Sequence, residues 1–376
     1  MQVIEVRDCK GKQVRDFLDL PEKLYRDKPN WVPPFRMDVK SLFDRERNPF
    51  FRHSEAAFYL AYDGRGESVG RLVVLEPALV NERLGIKMAF FFLYECVESL
   101  EVSMALFSAG EQWALSRGLD TLFGPKGFTA LDPIGILVEG FDIPAAMSTG
   151  YHPPYYEKFI SASGFVPAVD FLTGTMTRKS SFPARIDSLS ERVQEERNIR
   201  VVPFRSRKEV LDRVPELAML FNEALGTESV NAPMTEDEIR SMVRIMMLIA
   251  KPELIKMINK GDEPIGFVLA YPDVSRAIRR NWGRLLPFGW MDLLMEARKT
   301  KRYAINGAGI LEEHRGTGGL AVLYSELYKT LKDSGGETAD VIQIRVENEK
   351  MLRTLRGFGI DFNRRHRMYR KEISVE

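Results

Sequence analysis

The sequence has 376 residues, 44% of them hydrophobic, which is enough to bury one large core or two of ordinary size. Its 54 Lys and Arg almost balance 53 Asp and Glu, so the formal net charge is +1 and no net field directs the chain toward nucleic acid. The two cysteines, Cys9 and Cys96, argue against a disulfide scaffold and fit a reducing compartment.

No targeting or membrane-spanning segment is recognisable in the sequence. The N-terminus, MQVIEVRDCKGK, lacks the apolar run of a signal peptide, and the longest uninterrupted apolar run, 88–94, is too short to cross a bilayer. We therefore expect a soluble, cytoplasmic protein, with peripheral membrane contact left open. The cysteine spacing predicts no bound metal.

The first half of the chain shows an α/β pattern. Residues 57–77 have the pattern of a strand, a Gly-rich turn and a second strand, which ends at Pro77 because proline cannot donate to a sheet. The next predicted elements are a strand over 88–97, a helix over 101–118 and a strand over 121–125.

The second half repeats this order. Residues 253–272 again predict two strands, and the second ends at Pro272. The next predicted elements are a strand over 302–311, an amphipathic helix over 319–335 and a strand over 340–346.

The repeat predicts a duplicated fold. When Leu106 is aligned with Leu323, the helix-terminating glycines, Gly118 and Gly335, coincide without a gap. We predict two tandem domains of the α/β class, each with a mixed α+β sheet. The boundaries are 1–178 for the first domain, 179–198 for a charged linker, 199–376 for the second domain and 273–301 for an insertion within it.

The segment 314–320, HRGTGGL, lies between a predicted strand and a predicted helix. The first helical N–H groups have no intrahelical partner, and glycine lets an anion approach them closely, so this order predicts an anion site. The alternative is that the glycines only form a tight turn. The segment matches neither a P-loop nor a dinucleotide-binding fingerprint, because Glu312 stands where the third glycine of the fingerprint would be.

Arg315, Gly316, Thr317 and Gly318 resemble the coenzyme A loop of the GCN5-related N-acetyltransferase superfamily, which reads Arg/Gln-x-x-Gly-x-Gly/Ala. Downstream, RVENEKMLRTLRGFGI resembles the Val-x-x-Asn…Gly-Phe element of that superfamily, with Leu355 in place of the usual tyrosine. The resemblance implies two tandem acyl-CoA N-acyltransferase-like domains, of which the N-terminal one is degenerate.

The resemblance also implies an activity and a co-substrate. It predicts an N-acyltransferase that moves an acyl group from acetyl-CoA or a longer acyl-CoA to a small-molecule or lipid-like amine. The alternative is a non-catalytic module that binds acyl-CoA. The residues expected to hold coenzyme A are Gly309, Ile310, Leu311, Arg315, Gly316, Thr317, Gly318, Gly319, Leu320 and Asn348.

The corresponding loop of the first half, CVESLEVS, contains no glycine. Glu95, Glu98 and Glu101 surround it and would repel a pyrophosphate, so we predict a single coenzyme site in the second half. The first half is expected either to form one wall of the acceptor pocket or to be a degenerate copy kept for packing.

Acyl transfer to an amine needs a base and an acid. Glu312 and Glu313 are the carboxylates nearest the loop in sequence, although either can be an ordinary solvated charge. Tyr324 is the candidate acid, although its place on the apolar face of the helix favours the core. His314 has a suitable ordinary pKa, but packing is the alternative role that we favour.

Two further segments suggest how an acceptor is bound. Tyr151, Tyr155 and Tyr156 in YHPPYYEK can line an acceptor pocket or cap a core. The insertion predicts a basic amphipathic helix that is broken at Pro287. It suits a membrane surface through 275–296 or a lid over a long acyl chain; the alternative is an arm that packs on the other domain or on a second subunit, as in a homodimer.

Overall fold

The computed structural model describes residues 1–180, 182–225 and 231–374. The chain forms two compact units. The first unit comprises Met1–Leu172, Ser275–Trp290 and Arg364–Glu376. The second comprises Thr173–Val274 and Met291–Asn363.

The helices and strands up to residue 180 have the following bounds, in chain order. They are β1 (Gln2–Glu5), α1 (Lys12–Leu24), α2 (Arg36–Ser41), β2 (Glu55–Tyr62), β3 (Ser68–Glu76), α3 (Ala78–Leu84), β4 (Met88–Cys96), α4 (Leu100–Ser116), β5 (Thr121–Gly124), β6 (Ile136–Glu139), α5 (Tyr155–Ala162) and β7 (Val166–Thr177).

The remaining helices and strands repeat much of that order. They are α6 (Ala184–Arg197), β8 (Ile199–Val202), α7 (Arg207–Asp212), α8 (Val214–Ala224), α9 (Glu236–Met246), β9 (Ile255–Lys260), β10 (Glu263–Pro272), α10 (Ser275–Arg280), α11 (Gly289–Lys299), β11 (Arg302–Ile310), α12 (Gly319–Asp333), β12 (Thr338–Arg345), α13 (Glu349–Gly357) and β13 (Asp361–Glu372).

The first unit is built on a mixed sheet in the order β1-β2-β3-β4-β5-β13, with β6 also paired to β13. β4 and β5 run parallel because α4 connects them as a crossover, and their neighbours pair antiparallel. Leu106 and Phe107 of α4 are fully buried against Phe91 and Leu122 of the sheet. This apolar layer is the core of the first unit.

The second unit has the corresponding arrangement, in the order β7-β12-β11-β10-β9-β8. β11 and β12 are the parallel pair, and α12 is their crossover helix. Val322, Leu323 and Leu327 of α12 pack against Ile258 and Val268 of the sheet. The predicted mixed α/β fold and its duplicated strand and helix order are therefore confirmed.

The range 179–198, predicted as a linker, contains a regular helix in the part that the structure describes. This helix, α6, packs along α12 in the second unit. The Ser325 hydroxyl donates to a carboxylate oxygen of Asp187 at 2.6 Å, and Val193 is buried in the core of that unit. α6, which covers most of this range, is thus part of the packing of the second unit.

The helix predicted in the insertion is much shorter than expected. α10 ends at Arg280, so the prediction that Pro287 breaks the helix is wrong. The chain turns earlier because Trp282 and Gly283 adopt positive φ angles of 50° and 70°. A Cβ on Gly283 would collide with the carbonyl oxygen of Pro34, so only glycine fits this turn.

None of the helices that the structure describes has both the length and the apolar composition needed to cross a membrane.

Candidate functional site

The parallel strands of the second unit separate part of the way along their length. Their last register pair is Ile305 with Val341, yet β11 continues to Ile310 and β12 continues to Arg345. Beyond that pair, the facing strand edges no longer pair with each other. The result is a wedge lined by main-chain N–H and C=O groups that can bind a ligand.

A bulge in β11 lies at the point of separation. Val268 stands opposite Ala308 and Ala270 opposite Ile305, so two residues of β11 face a single residue of β10. Gly307 is one of the two and has a φ of 113°. A bulge bends the strand and increases its twist, which turns β11 away from β12.

The wedge leads into the glycine loop. A 3-10 turn over Glu312–His314 follows β11, and α12 then begins at Gly319. The Thr317 hydroxyl donates to the His314 carbonyl at 2.7 Å and closes the loop on itself. No described side chain caps α12, so its first N–H groups and the positive end of its dipole are open to an anion.

Two glycines of this loop are needed for different reasons. Gly316 and Gly318 both have positive φ angles, 82° and 89°. A Cβ on Gly316 would meet open space, whereas a Cβ on Gly318 would lie 2.6 Å from Val193 Cγ2. The loop is therefore open to solvent at Gly316 and packed against α6 at Gly318.

The charged residues of the loop point to solvent. Arg315, Glu312 and Glu313 are all exposed, so the guanidinium is available to an anion, and the two predicted bases are solvated carboxylates. His314 is buried, and its Nε2 lies 3.7 Å from Glu263 Oε2.

His314 also belongs to a group with the chemistry of metal ligands. Glu263, Glu313 and His314 each place one ligand atom within 4.8 Å of the others, and both glutamates are exposed. Sequence reasoning missed this group because Glu263 is brought to the loop only by the pairing of β10 with β11. Exposed carboxylates often approach one another without a metal, and we assign no ion to the group.

The candidate acid is placed in the core. Tyr324 is buried, its ring centroid is 5.1 Å from that of Phe358, and burial raises the pKa of its hydroxyl well above the ordinary range. Leu355, at the position of the usual tyrosine, is also fully buried. This placement favours the packing role that the apolar face of the helix had suggested for Tyr324.

Asn348 has a structural partner. It is the N-cap of α13, and its Oδ1 accepts a hydrogen bond from the Met351 N–H at 3.2 Å. The remaining residues expected to hold coenzyme A, from Gly309 to Leu320, lie together along the end of β11, the loop and the start of α12.

The first unit has the same separated strands but a different loop. The β4 and β5 register ends at Phe90 and Phe123, while β4 continues to Cys96. The N-terminus of α4 is capped, because the Ser99 hydroxyl accepts a hydrogen bond from the Val102 N–H. A capped helix start without glycine offers an anion fewer free donors than the start of α12.

Tyrosine side chains fill the wedge of the first unit. The Tyr156 hydroxyl accepts from the Cys96 N–H at 3.0 Å, and the Tyr155 hydroxyl donates to the Cys96 carbonyl at 2.9 Å. Tyr151 is half-buried, with its ring 6.5 Å from that of Tyr25. The hydroxyls of Tyr155 and Tyr156 thus form hydrogen bonds with the main-chain groups of Cys96, which are then not available to a ligand in this unit.

The expectation that three glutamates surround the first loop is wrong for Glu95. Its carboxylate points into the unit and accepts hydrogen bonds from Tyr25 at 2.5 Å and from Tyr156 at 2.8 Å. Glu98 and Glu101 are exposed, as expected of loop charges.

Sequence reasoning missed the partner of Glu95. Arg71 is fully buried, and its Nη2 lies 3.8 Å from Glu95 Oε1. Burial raises the pKa of Glu95, and the positive charge of Arg71 opposes that shift. The two residues stand opposite each other on β3 and β4, so the strand register is the signal that could have found the pair.

Arg71 also lines a cleft in the first unit. Trp31, Pro34, Arg36 and Trp282 are among the other residues that form its walls. Trp31 and Arg36 come from the segment WVPPFR, and Trp282 comes from the insertion, whose residues 275–290 belong to this unit.

Two units with the same separated parallel strands and crossover helix have the fold of tandem GCN5-related N-acetyltransferases. A tandem protein of this fold from the clavulanic acid biosynthesis pathway is similar over 100% of this chain and 99% of its own, with a TM-score of 0.58 and 12% identity. A GCN5-related N-acetyltransferase from Sphaerobacter thermophilus matches 99% of this chain and 96% of its own, with a TM-score of 0.53 and 15% identity.

Two curated proteins are similar to the chain in sequence. Protein YghO of Escherichia coli is 26% identical over 369 residues, covering 96% of this chain and 93% of its own length. The bacterial ceramide synthase of Caulobacter vibrioides is 26% identical over 372 residues, covering 96% of this chain and 95% of its own length. No protein-family model matches the chain.

Proposed function

We propose that the protein is an acyl-CoA-dependent N-acyltransferase with one coenzyme site, formed by the second unit. The observation that carries the proposal is the wedge between β11 and β12, which opens beside the uncapped, glycine-rich start of α12. An extended thioester can pair with the free strand edge, while a pyrophosphate binds at the helix start. The fold, which is that of N-acetyltransferases, supports this use of the wedge.

Different residues of the second unit would bind different parts of coenzyme A. The main-chain N–H groups of Gly316, Gly318, Gly319 and Leu320 would hold the pyrophosphate, and Arg315 would add a formal positive charge beside it. The main chain from Gly309 to Leu311 would pair with the pantetheine arm. These groups are already ordered by α6 and β10, which reduces the entropy lost on binding.

The reaction needs a neutral amine and a polarised carbonyl. The amine nitrogen attacks the thioester carbon, the C–S bond breaks, and the nitrogen loses one proton while the departing thiolate gains one. Main-chain N–H groups of the wedge would stabilise the oxyanion. Glu312 and Glu313 remain the candidate bases, acting directly or through water, since both are solvated and close to the wedge in the chain.

We propose a long-chain amino alcohol as the acceptor. A ceramide is the amide of a fatty acid with such an amine, and the similar Caulobacter protein is named a ceramide synthase. The donor would then be a long-chain acyl-CoA, which fits the alternative of a lipid-like amine that the insertion suggested.

The test is a turnover assay with palmitoyl-CoA or acetyl-CoA and a long-chain amino alcohol in mixed micelles. Free thiol and the amide product are measured for the wild type, Arg315→Glu and the matched surface control Arg207→Glu. We expect amide formation that prefers palmitoyl-CoA, at least a tenfold loss in Arg315→Glu and no loss in the control.

Other outcomes would contradict the proposal in identifiable ways. Coenzyme binding without thiol release from any amine tested would show a non-catalytic acyl-CoA-binding module. Turnover with short polar amines but not with the long-chain amino alcohol would support the proposed acyl transfer and rule out a lipid-like acceptor.

A further inference from the structure

The insertion carries the most exposed apolar residues that the structure describes. Leu286 and Phe288 are each 73% exposed, and Trp290 is 47% exposed. Met291 and Met295 follow on α11 and are exposed to a similar degree. Thirteen large hydrophobic residues of the described chain are exposed, and these five lie within ten consecutive positions. We call residues 285–290, which belong to the first unit, the apolar tip.

The apolar tip is an ordered loop. The Trp290 N–H donates to the Leu285 carbonyl at 2.8 Å, and the Trp290 indole N–H donates to the Pro287 carbonyl at 3.1 Å. A Cβ on Gly289 would collide with the Arg284 carbonyl, so the loop is tightly closed. Its apolar side chains are held in water by this geometry, which is unfavourable unless something covers them.

The base of the tip is anchored in the first unit. Ala277 and Ile278 of α10 are buried. The Arg36 N–H donates to the Gly283 carbonyl at 3.0 Å, and the Arg284 guanidinium pairs with Glu22 at 2.8 Å. Fixed at its base, the tip presents Leu286 and Phe288 outward.

The charge around the tip is strongly asymmetric. Residues 275–290 contain four arginines and no acidic residue, whereas the whole chain has a formal net charge of +1. One of the four, Arg284, is paired with Glu22. Arg276 and Arg279 are exposed on α10 in the same unit as the tip. A second copy of this segment would bring like charges together, so the charge favours an anionic partner.

We propose that the apolar tip inserts into the interface of an anionic membrane, with the flanking arginines on its headgroups. Apolar side chains with tryptophan, flanked by cations, suit the boundary between headgroups and acyl chains. Each basic residue near an anionic surface adds electrostatic attraction, and the tip side chains add the free energy of burial.

The test is co-sedimentation of the full chain with phosphatidylglycerol vesicles and with phosphatidylcholine vesicles. Neither acyl-CoA nor an amine is present, so the result is independent of acyl transfer. We expect binding to the anionic vesicles that weakens as salt rises, and little binding to the neutral ones.

Two pairs of variants separate the contributions. The double variant Leu286→Gln/Phe288→Gln should weaken binding about tenfold. Its matched control is Met104→Gln/Leu211→Gln, which removes apolar residues of 49% and 50% exposure elsewhere. Arg276→Glu/Arg279→Glu should weaken binding at least about tenfold, and its control, Arg207→Glu/Lys208→Glu, should not.

Three results would overturn the proposal. The first is the absence of wild-type binding to anionic vesicles at low salt. The second is equal loss in the tip variant and in its control. The third is a change from dimer to monomer in the tip variant, measured by light scattering, because this would identify the tip as a contact between two copies of the chain.

Discussion

At the scale of single residues, the glycine loop combines binding geometry with packing. Gly316 faces open space, while Gly318 is pressed against Val193. The sequence predicted the loop because strand, glycines and helix are consecutive. It could not predict the Val193 contact, because α6 lies more than a hundred residues away in the chain and no local pattern indicates its position.

A pair of alanine variants should separate the two roles of glycine. Gly316→Ala should lower the unfolding free energy by about 1 kcal/mol, because Gly316 has a positive φ angle, and the same strain applies to Gly318→Ala. Gly318→Ala should lose more, because its Cβ would lie 2.6 Å from Val193 Cγ2. Urea unfolding measures both, and equal losses would contradict the close contact with α6.

A buried histidine should make stability depend on pH. His366 Nε2 lies 2.8 Å from the Gly150 carbonyl, and burial lowers the pKa of His366 to about 4. The unfolded state, with its ordinary pKa, therefore binds more protons between about pH 6.5 and pH 4. The contribution of His366 to the free energy of unfolding is fully present above this window and is lost as the pH falls through it.

The variant His366→Gln keeps a donor for the Gly150 carbonyl and removes the titration. We expect the loss of unfolding free energy between pH 7 and pH 5 to be about 2 kcal/mol smaller in the variant than in the wild type. Urea unfolding at the two pH values measures the difference. The same pH dependence in both proteins would show that His366 is not held neutral in the folded state.

At the scale of elements, local patterns predicted the strands and crossover helices well. Periodicity fixed β11 and α12, because each spans enough residues for an apolar face to repeat. The end of α10 could not be predicted, because Gly283 is held by a close approach to Pro34, far away in the sequence. The pairing of Arg71 with Glu95 was missed for a related reason, since it depends on the register of β3 and β4.

The role of Asn348 as the N-cap of α13 leads to a testable prediction. Asn348→Ala removes the cap of this helix and should lower the unfolding free energy by about 1 kcal/mol, whereas Asn348→Asp, which keeps a cap, should lose little. Calorimetric affinity for coenzyme A, measured beside urea unfolding, separates capping from binding. A weaker affinity in both variants with unchanged stability would assign the side chain to the coenzyme instead.

At the scale of the whole molecule, two units with the same order of strands and helices have different wedges. In the first, Tyr155 and Tyr156 form hydrogen bonds with the main chain at the end of β4, and Ser99 caps α4. In the second, no side chain of the described residues caps the start of α12. The sequence anticipated a difference between the two loops from their glycines and glutamates. For the tyrosines, it left open whether they line an acceptor pocket or cap a core.

The central claim is a single coenzyme site in the second unit, and isothermal titration of the full chain with coenzyme A tests it most directly. The account predicts one equivalent bound by the wild type and by Arg207→Glu, and at least tenfold weaker binding by Arg315→Glu. Two equivalents per chain, or an affinity unchanged in Arg315→Glu, would contradict it.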